Sequence, residues 1–394
     1  MFCVYCQHSW CAVATSHLGH AEAKEIPDTI ENRAAYRSLL YSTPGVGEYI
    51  SGVILHWETL FQKDAAGTQM VDLIKGNGMV PGIKLDKGYS KDGLCNTKVG
   101  PLGHPETWTK GLDDLEARCA QAYAQGARFA KWRNVLQIDP TTGITSDAAV
   151  DECVTSLARY AAICQRQRLV PIVEPEIVPN GSHGKYINMI FRGALEAFLN
   201  KNVQARTRLY FLLIPSCDCA CLPDIMACAA VTERVLLAQF KALQMHGVFL
   251  EGAVLKPNMV KSGLKGPKAT SEDVATATIT ALKRTVPCAM PGIFFLSGET
   301  VLDEDNEETA TINLNTMNAN FPGLPWHVSF SYGKALQKTC IVTWMGKDAN
   351  KEAAQAVFLK RCKANSEANQ GVYVAGSCPS VGADKSVAMQ GGAY

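Results

Sequence analysis

Leu169–Val178, LVPIVEPEIV, is an almost unbroken apolar, β-branched run that carries two glutamates, Glu174 and Glu176, towards its end. A strand apolar on both faces belongs to a parallel sheet covered by other elements on both sides. The same form recurs outward along the chain. GVILHWE (Gly52–Glu58), MVPGIKLD (Met79–Asp86) and ARFAKWRNV (Ala127–Val135) precede it, and VFLEGAVLKP (Val248–Pro257), GIFFLSG (Gly292–Gly298) and HVSFSY (His327–Tyr332) follow it. Between them lie helical patterns such as DDLEARCAQAYAQG, AAVDECVTSLARYAAICQRQ, VTERVLLAQFKALQ and SEDVATATITALKRTV. Alternating strands and helices of this kind predict an α/β fold with a parallel sheet.

The strand ends choose between the two parallel architectures. Nearly every strand closes on a charged or hydroxyl residue: Glu58, Lys84, Lys131 with Arg133, Glu174 with Glu176, Lys256, Ser297, and Ser331 with Lys334. A (β/α)8 barrel gathers all its strand ends at one mouth, where its active site lies. An open doubly wound sheet places its site at one switch point and usually carries a glycine-rich first turn, which no early strand shows here. The expectation is a (β/α)8 TIM barrel. Seven units are visible, so one strand is missing.

With Lys+Arg 38, Asp+Glu 37 and a net charge of +1, bulk charge excludes a polyanion binder, and no nucleic-acid partner is expected. No apolar run reaches the length of a membrane-spanning helix, so no membrane partner is expected either. Most of the 15 cysteines stand singly inside apolar or helical segments, as in a reducing compartment. Cys3 with Cys6, and Cys217, Cys219 and Cys221, lack a second half at zinc spacing, so no metal is expected. The first twenty residues lack a basic segment and a continuous apolar core. The cytoplasm is the expected location, with a plastid also open.

Three lysines at strand ends with two glutamates point to amine chemistry. A lysine near other cations and partly desolvated has a lowered pKa, so its neutral amine can attack a carbonyl and form a Schiff base. Glutamates nearby can move the protons of carbinolamine formation, dehydration and carbon–carbon cleavage. Spare cations would hold an anionic substrate. Ser297-Gly298 and Gly333-Lys334 follow the last two strands, the usual place of a barrel phosphate site. The residues thus predict a lysine-dependent aldolase for a phosphorylated sugar, without a cofactor. Trp132 reads as packing, and Glu58 as a carboxylate that salt-bridges across the mouth or takes part in the site.

LEGAVLKPNMV around Lys256, FAKWR around Lys131, IVEPEI around Glu174, GIKLDKG around Lys84 and FSYGKALQ around Lys334 resemble class I fructose-bisphosphate aldolases. ENRAAYR near the start, RCKANSEA near the end and the terminal tyrosine do so as well. The likeness runs from about Thr29 to Tyr394 with one interruption. It implies Lys256 as the Schiff-base lysine, Glu174 as general acid/base with Glu176 in support, and Lys131 as the neighbouring cation. It assigns Lys84 and Arg133 to the substrate site, Ser297 and Gly298 to the phosphate of the ketone half, and Arg33 to substrate binding. Tyr394 matches the mobile tyrosine that assists proton exchange on the enamine. The implied reaction is reversible cleavage of fructose 1,6-bisphosphate to dihydroxyacetone phosphate and glyceraldehyde 3-phosphate, in glycolysis and gluconeogenesis. The implied assembly is a homotetramer.

The chain departs from that pattern in three places. Residues 1–28 do not match the family's first strand and its catalytic aspartate; the nearest acids, Glu22 and Glu25, sit in a helical-looking stretch. Residues 184–223 interrupt the barrel spanning 29–394, and removing them joins GSH to DIMACAAVTERV as in the family. Gly-Lys-Tyr and Pro-Asp at the two ends are encodable with a splice donor and acceptor, so the segment reads as a retained intron. The loop after GIFFL reads SGETVLDEDNEE, and Lys334 replaces the phosphate-binding arginine. Two rivals stay open: an aldolase for a smaller phosphosugar, and a catalytically impaired paralogue or mis-spliced product acting as a binding protein.

Overall fold

Each strand of the sheet takes its neighbour in sequence as its neighbour in space. The computed structural model describes residues 12–14, 26–90, 94, 106–138, 145–178, 224–263, 268–297 and 307–379. Within them run β1 (Ala12–Ala14), β2 (Gly52–Leu55), β3 (Val80–Lys84), β4 (Phe129–Gln137), β5 (Val170–Val178), β6 (Val254–Leu255), β7 (Gly292–Phe295) and β8 (His327–Phe330). They form one 8-stranded sheet in the order β1 to β8, and every adjacent pair is parallel. Each of the seven runs legible in the sequence contains one of β2 to β8. The place of the first strand is held by Ala12–Ala14, in register with Gly52–Ile54. Three residues carry no alternation that a pattern could reveal.

The helices are α1 (Ile30–Tyr41), α2 (Trp57–Phe61), α3 (Met70–Gly76), α4 (Leu115–Ala124), α5 (Asp147–Arg166), α6 (Asp224–Met245), α7 (Ser271–Thr285), α8 (Glu307–Asn320), α9 (Lys334–Trp344) and α10 (Lys351–Asn369). Their starts follow from local chemistry. The Ser146 hydroxyl accepts the Ala149 N–H at the head of α5. Thr270 and Asp273 cap α7 reciprocally, each side chain accepting from the other's backbone. α5 buries Val150, Cys153, Val154, Leu157, Ala161 and Cys164, the three-and-four spacing of a helix with one face on the core.

Alternation along the strands divides the apolar residues into two cores. Val53, Leu55, Ile83, Ala130, Trp132, Val173, Leu255, Ile293 and Phe330 belong to the large cluster shared with the helices. Their strand neighbours Ile54, Phe129 and Ile172 form a second, separate cluster joined by Val80 and Val254. β2 and β4 are not adjacent, so only a curled sheet lets Ile54 and Phe129 share an inner core. Phe129 fixes the composition of its surroundings. A Cβ placed on Gly82 would stand 2.2 Å from its ring, so no larger residue fits there.

Parity then dictates what lines the mouth. Inward positions fall two apart along each strand: Val80, Gly82 and Lys84 on β3; Phe129, Lys131 and Arg133 on β4; Ile172, Glu174 and Glu176 on β5; Val254 and Lys256 at β6. The apolar member lies at the N-terminal end of each series and the charged members at the C-terminal end. Gly298, Tyr394, Glu22, Glu25, Cys217, Cys219, Cys221 and the interruption 184–223 lie outside the described residues. Among the described residues no helix is long and apolar enough to cross a membrane.

Candidate active site

β4 and β5 are nine residues each, and their register places Arg133 beside Glu174 and Lys131 beside Ile172. The carboxylate of Glu174 therefore rises between the cations of the neighbouring strands. Its Oε2 lies 2.9 Å from Lys131 Nζ, and its Oε1 lies 3.0 Å from Lys256 Nζ. All three side chains are buried, with residue exposures of 3%, 5% and 4% for Glu174, Lys131 and Lys256. One carboxylate thus holds two ammonium groups in a site almost closed to water.

Burial by itself would raise the Glu174 carboxyl, but Lys131, Lys256 and Arg133 outweigh it and hold the group at about 2. Burial pushes the Lys256 amine below the ordinary lysine range; Lys131 adds to this, and Glu174 opposes it. Lys84 is shifted downward too, first by burial and then by Lys131, against the pull of Asp86. A carboxylate kept ionised beside a lysine driven towards its neutral form is a base and a nucleophile within one ion-pair distance.

Arg133 Nε donates to Glu176 Oε2 across the same strand pair. Lys84 is paired with Asp86 Oδ1, and that oxygen also accepts the Gly88 N–H at 3.1 Å. Ser297 lies two residues beyond β7, and Lys334 opens α9 directly after β8. β7 and β8 are paired, so the two residues extend from adjacent strands at the C-terminal end. Ser331, on the inward parity of β8, is buried, and its hydroxyl has no hydrogen-bond partner among the described residues.

The structure thus brings Lys131, Glu174 and Lys256 into contact, with Glu176 and Arg133 alongside and Lys84 on the next strand. Arg33 is held by ion pairs at the start of α1. Arg33 stands in the first turn of α1, with Nη1 2.8 Å from Asp28 Oδ1 and Nε 3.1 Å from Glu58 Oε2. Glu58 also lies 3.4 Å from Arg37 Nη1, so it is an ion-pair centre joining α1 to α2. Trp132 faces outward, packed on Tyr160 with ring centroids 5.4 Å apart. Two polar residues of the mouth were absent from the candidates, Asp86 and Asn258. Their signal was parity: each lies two residues beyond a candidate lysine.

A lysine amine, a shared carboxylate and further cations at the C-terminal mouth of a parallel barrel define a lysine-dependent carbon–carbon lyase. The family profile of class-I fructose-bisphosphate aldolase matches residues 18–199 and 212–394. The chain belongs to the class-I fructose-bisphosphate aldolase family. It is 47% identical over 353 residues to fructose-bisphosphate aldolase 1 of Toxoplasma gondii, covering 89% of this chain and 82% of that protein. It is 44% identical over 382 residues to the cytosolic fructose-bisphosphate aldolase 5 of Arabidopsis thaliana, covering 97% and 91%. Among solved structures, Plasmodium falciparum fructose-bisphosphate aldolase, in complex with TRAP and a small-molecule inhibitor, superposes with a TM-score of 0.77. That pair is 42% identical, with 94% of this chain and 93% of the other covered.

Proposed function

We propose that the chain cleaves fructose 1,6-bisphosphate reversibly to dihydroxyacetone phosphate and glyceraldehyde 3-phosphate through a Schiff base on Lys256. The observation that carries this is the buried triad in which Glu174 holds Lys131 at 2.9 Å and Lys256 at 3.0 Å. The neutral Lys256 amine adds to the ketone carbon. Glu174 relays the proton that lets the carbinolamine hydroxyl leave as water, giving a protonated imine. The C3–C4 bond then breaks as the C4 hydroxyl loses its proton, and the electron pair passes into the imine as an enamine. The aldehyde leaves, C3 is protonated with Tyr394 assisting, and hydrolysis frees the ketone and the lysine. Lys131 stabilises the anionic stages of this sequence, and Glu176 orients Arg133.

Lys84 and Arg133 are assigned to the substrate, and Ser297, Gly298 and Lys334 to the phosphate of its ketone half. Arg33 is assigned a supporting part in substrate binding through the α1–α2 ion pairs. The homotetramer is part of the same reading. Met226 and Leu237 are exposed on α6 at 46% and 56%, and their separation of three helical turns puts them on one face. The cytoplasm is the proposed location, in keeping with the cytosolic Arabidopsis relative. The interruption 184–223 is proposed to be a retained intron.

Borohydride reduction in the presence of dihydroxyacetone phosphate tests the proposal. The expected result is a stable adduct on the Lys256 peptide, lost in Lys256→Met. The sequence after β1 holds no acidic residue before Glu22, which favours the impaired, binding-only reading. A folded chain that gives no adduct would establish that reading instead.

A further inference from the structure

The lysine assigned to the Schiff base stands at the end of the shortest strand of the sheet. β6 has two residues. It pairs with β5 through Val254 and Leu255 and with β7 through Leu255 alone. The ladder to β5 reaches Lys256, whose N–H donates to Val173 O at 2.8 Å. The next pair would join Pro175 to Pro257. Alternate residues of a strand address the same neighbour, so Pro175, two beyond Val173, faces β6 with no N–H to give. Pro257 faces β7 instead, where its carbonyl accepts the Leu296 N–H at 3.3 Å. The ladder therefore stops beside the two residues whose separation matters most, Glu174 and Lys256.

Asn258 closes it again. Its Nδ2 donates to Ile177 O at 2.6 Å, and its Oδ1 accepts the Ile177 N–H at 2.6 Å. One side-chain amide thus takes both backbone groups of Ile177, which a parallel strand would satisfy from two different residues. Ile177 follows Glu176 directly and lies three residues beyond Glu174. Two closures, Val173 to Lys256 and Ile177 to Asn258, then bracket the proline-interrupted segment on both strands.

We propose that Asn258 is a positioning residue: its side-chain amide replaces the missing ladder and fixes Lys256 against Glu174 for the amine's attack. The inference rests on the Schiff-base reading. It predicts that Asn258 governs the rate at Lys256 rather than the affinity for substrate, because both ends of its amide are taken by the Ile177 backbone.

The experiment compares Asn258→Asp and Asn258→Ala with the parent chain by borohydride trapping on dihydroxyacetone phosphate, alongside steady-state cleavage of the bisphosphate. Asn258→Asp keeps the acceptor for the Ile177 N–H but loses the donor to Ile177 O, so it carries the test if Asn258→Ala does not fold. The expected result is full adduct stoichiometry in folded protein, a trapping rate and kcat lowered roughly 10- to 100-fold, and a nearly unchanged KM. A trapping rate per intact site within about twofold of the parent would overturn the inference, as would reduced stoichiometry at an unchanged rate. A parent chain that cannot be trapped overturns the Schiff-base reading itself, and Asn258 falls with it.

Discussion

Replacing Glu174 by Gln removes the one anion that two buried ammonium groups share and leaves its shape. The parent carboxyl is held at about 2 against an ordinary 4.5, a difference that corresponds to about 3 kcal/mol of native-state stabilisation. Because the folded-state pKa is the lower one, this contribution is present in full above about 4.5. It is lost as the pH falls from there towards about 2. Glu174→Gln should therefore be less stable than the parent by on the order of 3 kcal/mol near neutral pH. The difference should shrink as acid protonates the parent. Glu174 is also the strongest influence holding the Lys256 amine up, so in the variant that amine becomes neutral at lower pH. The nucleophile is thus available, but the proton relay for carbinolamine dehydration is gone, and kcat should fall about 10²- to 10⁴-fold. Urea unfolding across the acid range and cleavage kinetics around neutral pH read the two effects separately. A stability gap that stays constant on acidification, or a kcat within tenfold of the parent, would refute the reasoning.

Two further outcomes follow from the same geometry. Gly82→Ala places a methyl group 2.2 Å from the Phe129 ring and should cost about 1–3 kcal/mol in urea unfolding; Phe129→Leu on that background should recover part of it. Lys334→Arg restores a bidentate fork at the start of α9, and its KM for the bisphosphate should fall by roughly fivefold with little change in kcat.

The inward series explain why so much of the site was legible. Lys84, Lys131 with Arg133, Glu174 with Glu176, and Lys256 each stand at the C-terminal end of a recognisable apolar run, and period-two alternation puts them on one face. Arg33 was different. Its motif gave it a role, but its pairing with Glu58 depends on where α1 lies relative to α2, and no spacing encodes that. Asp86 and Asn258 are not legible in the same way, because an acid or amide just past a strand end looks like any loop residue. Only the folded chain shows which cation or carbonyl each one meets.

The sequence by itself determined the alternation of strands and helices, the mouth at the strand ends and the identity of its charged residues, because these depend on local periodicity and composition. Tertiary structure decided the rest: that Ala12–Ala14 supplies a strand, that Glu174 bridges Lys131 and Lys256, and that Asn258 closes the ladder beyond Pro175. Each of these depends on the stagger between strands far apart in the chain. That stagger is set when the sheet curls around Phe129 and its inner core, and it is written in no single stretch of residues.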